Sequence, residues 1–383
     1  METKLKDVAK DEAQAPAPLA QEATATEAAG SLDSEGVSPD IEFEAVGQCP
    51  VCNHAEARVV FAEVEDYLYS LPGKFRYVQC QACSLVYQDP RPTVSDLPKC
   101  YTDYHTHEAE ALPESFMGEW TGASRWIRGG VLARKYGYSH LAPSRQETLA
   151  ACLLDLLPPV RNRARCYLGA SLPAFAGEGR ALDIGTGGGR YAASLKRLGW
   201  HVTGVEFDPT AAANTAERYG LTIKTGTLED ARFPSGSFDF ISMFHVIEHL
   251  PDPLATLREC RRVLREGRRI MLRTPNFDSL TRREFGKFWR GVEAPRHLCL
   301  FNGASLRHAL EAAGFRVVRV MTIPTATAYY AQASSEIRAA QGAGEEGARS
   351  ALWTARRYNL LAAGGRLLRG QLLGDELHVE AIR

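Results

Sequence analysis

The chain has 383 residues, 45% of them hydrophobic and 24% charged, with a formal net charge of -1. That is ordinary globular material, long enough for two or three domains, and it excludes a wholly disordered or fibrous protein. No uninterrupted apolar run of about 18 residues occurs, and the N-terminus carries charges where a secretory leader would be apolar, so a soluble, cytoplasmic protein is expected.

The charge is uneven. Met1 to Val46 holds eleven acids and three lysines, a charge of -8, which leaves +7 for the remainder. This stretch is rich in Ala, Glu, Thr, Pro and Ser and has no aromatic before Phe43. Too little apolar surface is available to offset ordering entropy, and residues 1–46 read as a disordered acidic tail.

Residues 47–90 open with CPVC (Cys49, Cys52) and close with CQAC (Cys80, Cys83) inside the strand-like FRYVQCQACSLVYQ. Each CxxC turn can aim two thiolates at one cation, and two such turns suit tetrahedral, closed, structural Zn2+. The 27 intervening residues exceed the common spacing and call for a hairpin insertion. Four buried, reduced cysteines are the plainer alternative. Without a dense Lys/Arg stripe, a nucleic-acid role is not expected, and the unit is read as structural or substrate-shaping.

Residues 91–178 form a linker and helical cap. Pro90 and Pro92 break regular structure before Tyr101, Tyr104, His105 and His107, and the histidines read first as exposed turn residues, with ligand or base as the alternative. From Trp120 to Gly179 Leu and Ala recur at helical spacing. Arg134, Tyr136 and Tyr138 there either touch substrate or pack.

Residues 179–383 alternate strand and helix. ALDIGTGGGR (Ala181 to Arg190) is a strand, a tight turn and a helix start, in which Gly185, Gly187 and Gly189 permit positive φ and the helix N-terminus offers unpaired N–H groups. By spacing alone the glycines also fit a dinucleotide fingerprint. Asp183 argues for a ligand's ammonium over a pyrophosphate. HVTGVEF is a second strand ending in Glu206, suited to ribose hydroxyls, and Phe207 follows it. TLEDARF places Thr227 and Leu228 in the next such loop, and SFDFISMFHVIEHLPDP is an apolar strand that delivers His245, Glu248 and His249 beyond its end.

These segments resemble the class I S-adenosylmethionine-dependent methyltransferases. The resemblance implies an α/β fold with a doubly wound, Rossmann-like, seven-stranded sheet, behind an N-terminal zinc ribbon and helical cap. It also implies a cofactor site of Asp183, Gly185, Gly187, Gly189, Glu206, Phe207, Thr227, Leu228 and His245. Relatives commonly carry Asp where Thr227 stands, so the adenine contact falls to the Leu228 backbone or a neighbour. Ribbon, Pro-rich turn and tyrosines resemble the N-terminal region of some bacterial natural-product and sugar methyltransferases. The implied reaction moves a methyl group to O or C of a small-molecule acceptor such as a secondary metabolite, a phenol or quinone precursor, or a nucleotide-linked sugar.

Methyl transfer needs the acceptor's proton removed, and His249 is the first choice as base. HVIEH also resembles the metal-binding ExxEH of small-RNA 2'-O-methyltransferases and the similar segment of ubiquinone-biosynthesis O-methyltransferases, with His245 in place of the first Glu. His297, in EAPRHLCLF, falls where those families supply a further histidine. His245, Glu248, His249 and His297 are therefore the catalytic candidates, either as base and orienting groups or as an open divalent site. Helix capping by Glu248 and His249 is the plainer alternative.

RRIMLRTPN reads as a strand after a turn at Gly267, and Phe288, Trp289 and Arg296 lie where a lid would grip an aromatic or anionic acceptor. FRVVRVMTI and ELHVEAIR are the last strands. Between them a mainly helical insertion, 324–374, carries Tyr329, Tyr330, Trp353 and Tyr358 and a basic face of Arg349, Arg356, Arg357, Arg366 and Arg369, suited to covering substrate, meeting anionic lipid or forming a homodimer. A nicotinamide-dependent oxidoreductase and a non-enzymatic zinc-ribbon binding protein are the competing classes.

Overall fold

The computed structural model describes residues 41–101, 122–142, 144–154, 171–323, 326–343, 357–362, 364 and 372–383. The tail through residue 40, together with Tyr104, His105, His107, Arg349, Trp353, Arg356, Arg366 and Arg369, lies outside them.

Five short strands open the described chain: β1 (Phe43–Glu44), β2 (Ala57–Val64), β3 (Phe75–Cys80), β4 (Val86–Gln88) and β5 (Arg91–Pro92). β3 pairs antiparallel with β2 and β4, and β1 pairs with β5. The long spacing between the CxxC turns is taken up by the β2–β3 hairpin and its loop. Asp66 organises that loop by accepting the N–H groups of Leu68 and Tyr69 at 3.2 and 3.1 Å. Phe75 and Tyr77 alternate inward and are buried.

The main sheet contains β6 (Arg180–Ile184), β7 (His201–Glu206), β8 (Thr222–Thr225), β9 (Phe238–Phe244), β10 (Leu264–Pro275), β12 (Arg316–Ile323) and β13 (Glu376–Ile382); β11 (Cys299–Leu300) lies between β10 and β12 in sequence. Its order is β12-β13-β10-β9-β6-β7-β8. β6 to β10 run parallel, and β13 slots antiparallel between β10 and β12. The mostly parallel α/β sheet expected from the alternation is present, with the seven strands that the resemblance implied and the last strand inserted rather than added at an edge. Gly267 differs from expectation: it is a left-handed residue inside β10, where the register to β9 shifts between Leu264 and Arg269.

Helices end where the chemistry dictates. Asp208 accepts the Thr210 and Ala211 N–H groups ahead of Pro209–Tyr219, and Gly220 closes that helix in the left-handed conformation. Asn302 and Ser305 form a capping box for Gly303–Ala312. Asp252, not Glu248 or His249, caps Pro253–Val263 through the Ala255 N–H. Tyr138 is fully buried, donating to the Pro173 carbonyl and accepting from Trp200 Nε1, so it packs the fold instead of facing substrate.

β11 leaves the main domain to pair with β4, which makes the N-terminal sheet β11-β4-β3-β2. The cysteine-bearing unit and the segment 277–300 therefore share one sheet and one core, in which Phe75, Tyr77 and Val86 pack with Phe277, Phe285, Trp289 and Leu300.

Candidate functional site

The carboxyl ends of β6, β7 and β9 converge at the glycine turn. Gly185, Gly187 and Gly189 all have positive φ (69°, 50° and 73°). At Gly185 a Cβ would stand 2.2 Å from Val246 Cγ2, so this turn abuts the loop after β9. Glu206 fastens the turn: its Oε2 accepts the Gly187 N–H at 2.7 Å and its Oε1 the Asp208 N–H at 3.1 Å. Each carboxylate oxygen retains a lone pair for a hydroxyl donor. Phe207 is 59% exposed, a free aromatic face beside the turn.

Asp183 is buried and accepts from Ser242 Oγ at 2.6 Å. Burial raises its carboxyl to about 7, against the Ser242 hydrogen bond and with the charge of Glu206 adding to the rise. A buried carboxyl that ionises near neutrality is ready for a cationic partner. Thr227 is otherwise engaged, because its Oγ1 donates to Asp230 at 2.7 Å, and the Leu228 side chain lies in the core.

His245 follows β9 with φ 55°. Its Nδ1 stands 3.3 Å from Glu248 Oε1 and its Nε2 3.3 Å from Glu376 Oε2, on β13, which lies beyond β10 in the sheet. Enclosure opposes the charge, but the two carboxylates prevail and raise the imidazolium to about 9, although its edge is 41% exposed. The two carboxylates thus hold His245 toward its charged form.

Glu248 is fully buried, and its Oε2 accepts from Thr274 Oγ1 at 2.9 Å. Burial works against its charge, yet His245 and the other imidazoles hold it at about 2. His249 Nδ1 lies 3.0 Å from the Arg296 carbonyl and 2.9 Å from Tyr101 Oη. His297 Nδ1 lies 2.8 Å from the Gly291 carbonyl. A carbonyl only accepts, so Nδ1 of His297 carries the proton and Nε2 the lone pair, and burial lowers this imidazole to about 4. The two rings meet edge to face with centroids 4.7 Å apart.

Glu248, His249 and His297 place their donor atoms within 4.8 Å of one another. His245 is not in that group. Glu293, missed in the sequence, stands beside it with Oε2 3.6 Å from His297 Nε2. Glu248 Oε1 and Glu293 Oε1 are buried and lack a well-aligned hydrogen bond among the described residues, each facing a longer ion-pair contact, to His245 Nδ1 at 3.3 Å and to Arg296 Nε at 3.4 Å. Glu293 has a positive φ, and no local pattern distinguishes it from an ordinary surface acid.

Two expected acceptor contacts are elsewhere. Arg296 is fully buried and forms a bidentate pair with Asp66 at 2.8 and 2.6 Å, and Trp289 is buried and stacked on Tyr330. Arg296 adjoins the histidines through its carbonyl, whereas Trp289 packs in the core shared with the N-terminal sheet. Phe288 leans on Tyr67 with ring centroids 5.4 Å apart.

In the N-terminal unit, Sγ atoms of Cys49 and Cys83 are 3.5 Å apart, as are those of Cys52 and Cys80, and all four lie within 4.8 Å of one another. Four thiolates at about 2.3 Å around tetrahedral zinc stand roughly 3.8 Å apart, so the donor set fits Zn2+.

Residues 146–320 match a family described as a methyltransferase domain. Over 130 residues the chain is 37% identical to a ubiquinone biosynthesis O-methyltransferase of Xanthomonas oryzae, covering 32% of this chain and 52% of that one. It is 40% identical over 114 residues to the protein of the same name from Cereibacter sphaeroides, covering 28% and 45%. The chain thus spans about half the length of the curated relatives it matches. Among solved structures, an S-adenosylmethionine-dependent methyltransferase from Archaeoglobus fulgidus aligns over 61% of this chain and 98% of that chain, at 18% identity and a TM-score of 0.40.

Proposed function

Given that the chain carries a class I S-adenosylmethionine-dependent methyltransferase domain, we propose that it moves a methyl group from S-adenosylmethionine to an oxygen of a small-molecule acceptor, with a phenolic hydroxyl as the first choice. The names of the relatives favour oxygen over carbon and a phenol or quinone precursor over a sugar. In this reading Asp183 takes the donor's ammonium, Glu206 its ribose hydroxyls and Phe207 the face of its adenine. The sulfonium supplies an activated methyl, so the chain's task is to hold donor and acceptor in line and ease the acceptor's proton away.

One observation carries the acceptor half: ligand-type atoms of Glu248, His249 and His297 converge within 4.8 Å of one another in a largely buried place. Lone pairs that close favour a cation among them, and the His245 imidazolium offsets only Glu248, from outside the group. We read it as an open divalent site held by Glu248, His249 and His297, which would polarise an acceptor hydroxyl. The chain's own residues then prepare the site. Gly291 and Arg296 carbonyls turn each imidazole so that Nε2 faces inward, and Thr274 steadies Glu248. The charge of His245 keeps Glu248 ionised. The four cysteines are read as a structural Zn2+ site.

Mn2+ titration followed by electron paramagnetic resonance, alongside O-methylation of a catechol and phenol panel, tests this reading. Wild type should take up about one Mn2+ that His297→Ala does not, and Mn2+ or Mg2+ should stimulate transfer. Equal Mn2+ uptake by both proteins refutes the cation site, and nicotinamide nucleotide binding with no S-adenosylmethionine binding refutes the whole assignment.

A further inference from the structure

The backbone that presents both site histidines is held from the cysteine-bearing unit. Tyr77, on β3, is fully buried, and its hydroxyl donates to the His297 carbonyl at 2.9 Å. Asp66, in the loop between β2 and β3, grips the Arg296 guanidinium through two hydrogen bonds, and both side chains are 1% exposed. Tyr69 from the same loop lies under that guanidinium, 4.5 Å from ring centroid to Cζ. The Arg296 carbonyl faces His249 Nδ1 at 3.0 Å, beside the Tyr101 hydroxyl at 2.9 Å. Two residues beyond His297, β11 pairs with β4, and the Gln88 N–H donates to the Leu298 carbonyl at 2.9 Å.

We propose that Asp66 and Tyr77 are positioning residues which set the inward aim of His249 and His297, so that the loop and strand between the two CxxC turns form half of the acceptor site. The proposal rests on the divalent reading above and deepens it by assigning residues behind the ligands. Outer partners of metal-binding histidines fix ring orientation, and their loss typically weakens metal binding about 10- to 100-fold. Here the partners act through the main chain of residues 296 and 297. Tyr77 holds the carbonyl of His297 itself. Asp66 holds the side chain of the residue whose carbonyl orients His249. Neither touches the cofactor turn, which is built from β6, β7 and the helix beyond.

The experiment uses the full chain saturated with S-adenosylmethionine and compares wild type, Tyr77→Phe, Asp66→Asn, Asp66→Glu and His297→Ala. Mn2+ affinity is read by electron paramagnetic resonance and S-adenosylmethionine affinity by calorimetry. Tyr77→Phe and Asp66→Asn should each weaken Mn2+ binding about 10-fold or more with S-adenosylmethionine affinity within twofold of wild type, and Asp66→Glu should recover part of the loss. Where Asp66→Asn does not fold, Tyr77→Phe, which removes one oxygen atom, decides alone. Unchanged Mn2+ affinity in Tyr77→Phe, with binding lost in His297→Ala, overturns the proposal and leaves the divalent reading standing. If wild type has no Mn2+ site, the divalent reading falls, and positioning is read from the 15N shifts of the His249 and His297 rings. Shifts moved by Tyr77→Phe support it, and identical shifts overturn it.

Discussion

The sharpest test of the cofactor half is the pH dependence of S-adenosylmethionine binding. Burial lifts the Asp183 carboxyl to about 7, roughly three units above a free aspartate. The donor's ammonium favours the ionised form, so below pH 7 binding must expel a proton. With the folded, empty protein titrating at 7, affinity should fall about 25-fold between pH 7.5 and pH 5.5, roughly 1.9 kcal/mol. Few neighbours complicate that window, since His245 at about 9 remains charged throughout and His297 at about 4 remains neutral. Calorimetry in buffers of different ionisation enthalpy should show close to one proton released per donor bound at pH 6. Asp183→Asn should bind weakly and with little pH dependence. Pronounced proton uptake in place of release, or equal wild-type affinity at both pH values, would show that Asp183 does not face the ammonium.

Three further outcomes follow from particular contacts. Gly185→Ala puts a methyl 2.2 Å from Val246 Cγ2 at φ 69°, and a loss of about 2–4 kcal/mol is expected in chemical denaturation, partly recovered by adding Val246→Ala; a loss below about 0.5 kcal/mol refutes the close approach. Cys80→Ser with Cys83→Ser should abolish zinc measured by elemental analysis and lower methyl transfer more than S-adenosylmethionine affinity, whereas native protein without zinc refutes the ribbon. His378 is fully buried, burial lowers its imidazole to about 4, and both ring nitrogens are unpartnered among the described residues. The unfolded ring takes up a proton below about 6.5 that the folded ring refuses, so stability drains as pH falls from 6.5 to 4. His378→Leu should gain about 2 kcal/mol on wild type between pH 8 and pH 5, and a pH-independent difference excludes the buried neutral ring.

What was legible in the chain follows from the range of the interactions. The glycine turn, Glu206 and the cluster of Glu248 and His249 are local: an acid at a strand end and residues three or four apart leave a readable pattern. The two CxxC turns are legible for the same reason, and the likeness to known methyltransferases supplied His297. Arg296 was misplaced because its partner Asp66 lies 230 residues earlier, and a lone Arg in an aromatic, basic stretch reads as a ligand-binding group until that partner is seen. Glu376 and Glu293 were missed likewise, since the first reaches His245 only after β13 inserts between β10 and β12. His245 differs by electrostatics: Glu248, three residues on, and Glu376, from a distant strand, together favour its charged form, and only the first of the two is visible in local spacing.

The pairing of β11 with β4 has a practical consequence for dissection of this protein. The stretch recognisable as a methyltransferase, 146–320, lacks Asp66, Tyr77 and Tyr101, and also lacks β13, an interior strand of the main sheet. A fragment cut at those bounds would expose the edges of β4's former partner, β10 and β12, and lose the ceiling over its histidines. The stretch visible to comparison is smaller than the unit that packs together, and grafting this acceptor half onto another cofactor half would have to carry the cysteine-bearing hairpin with it.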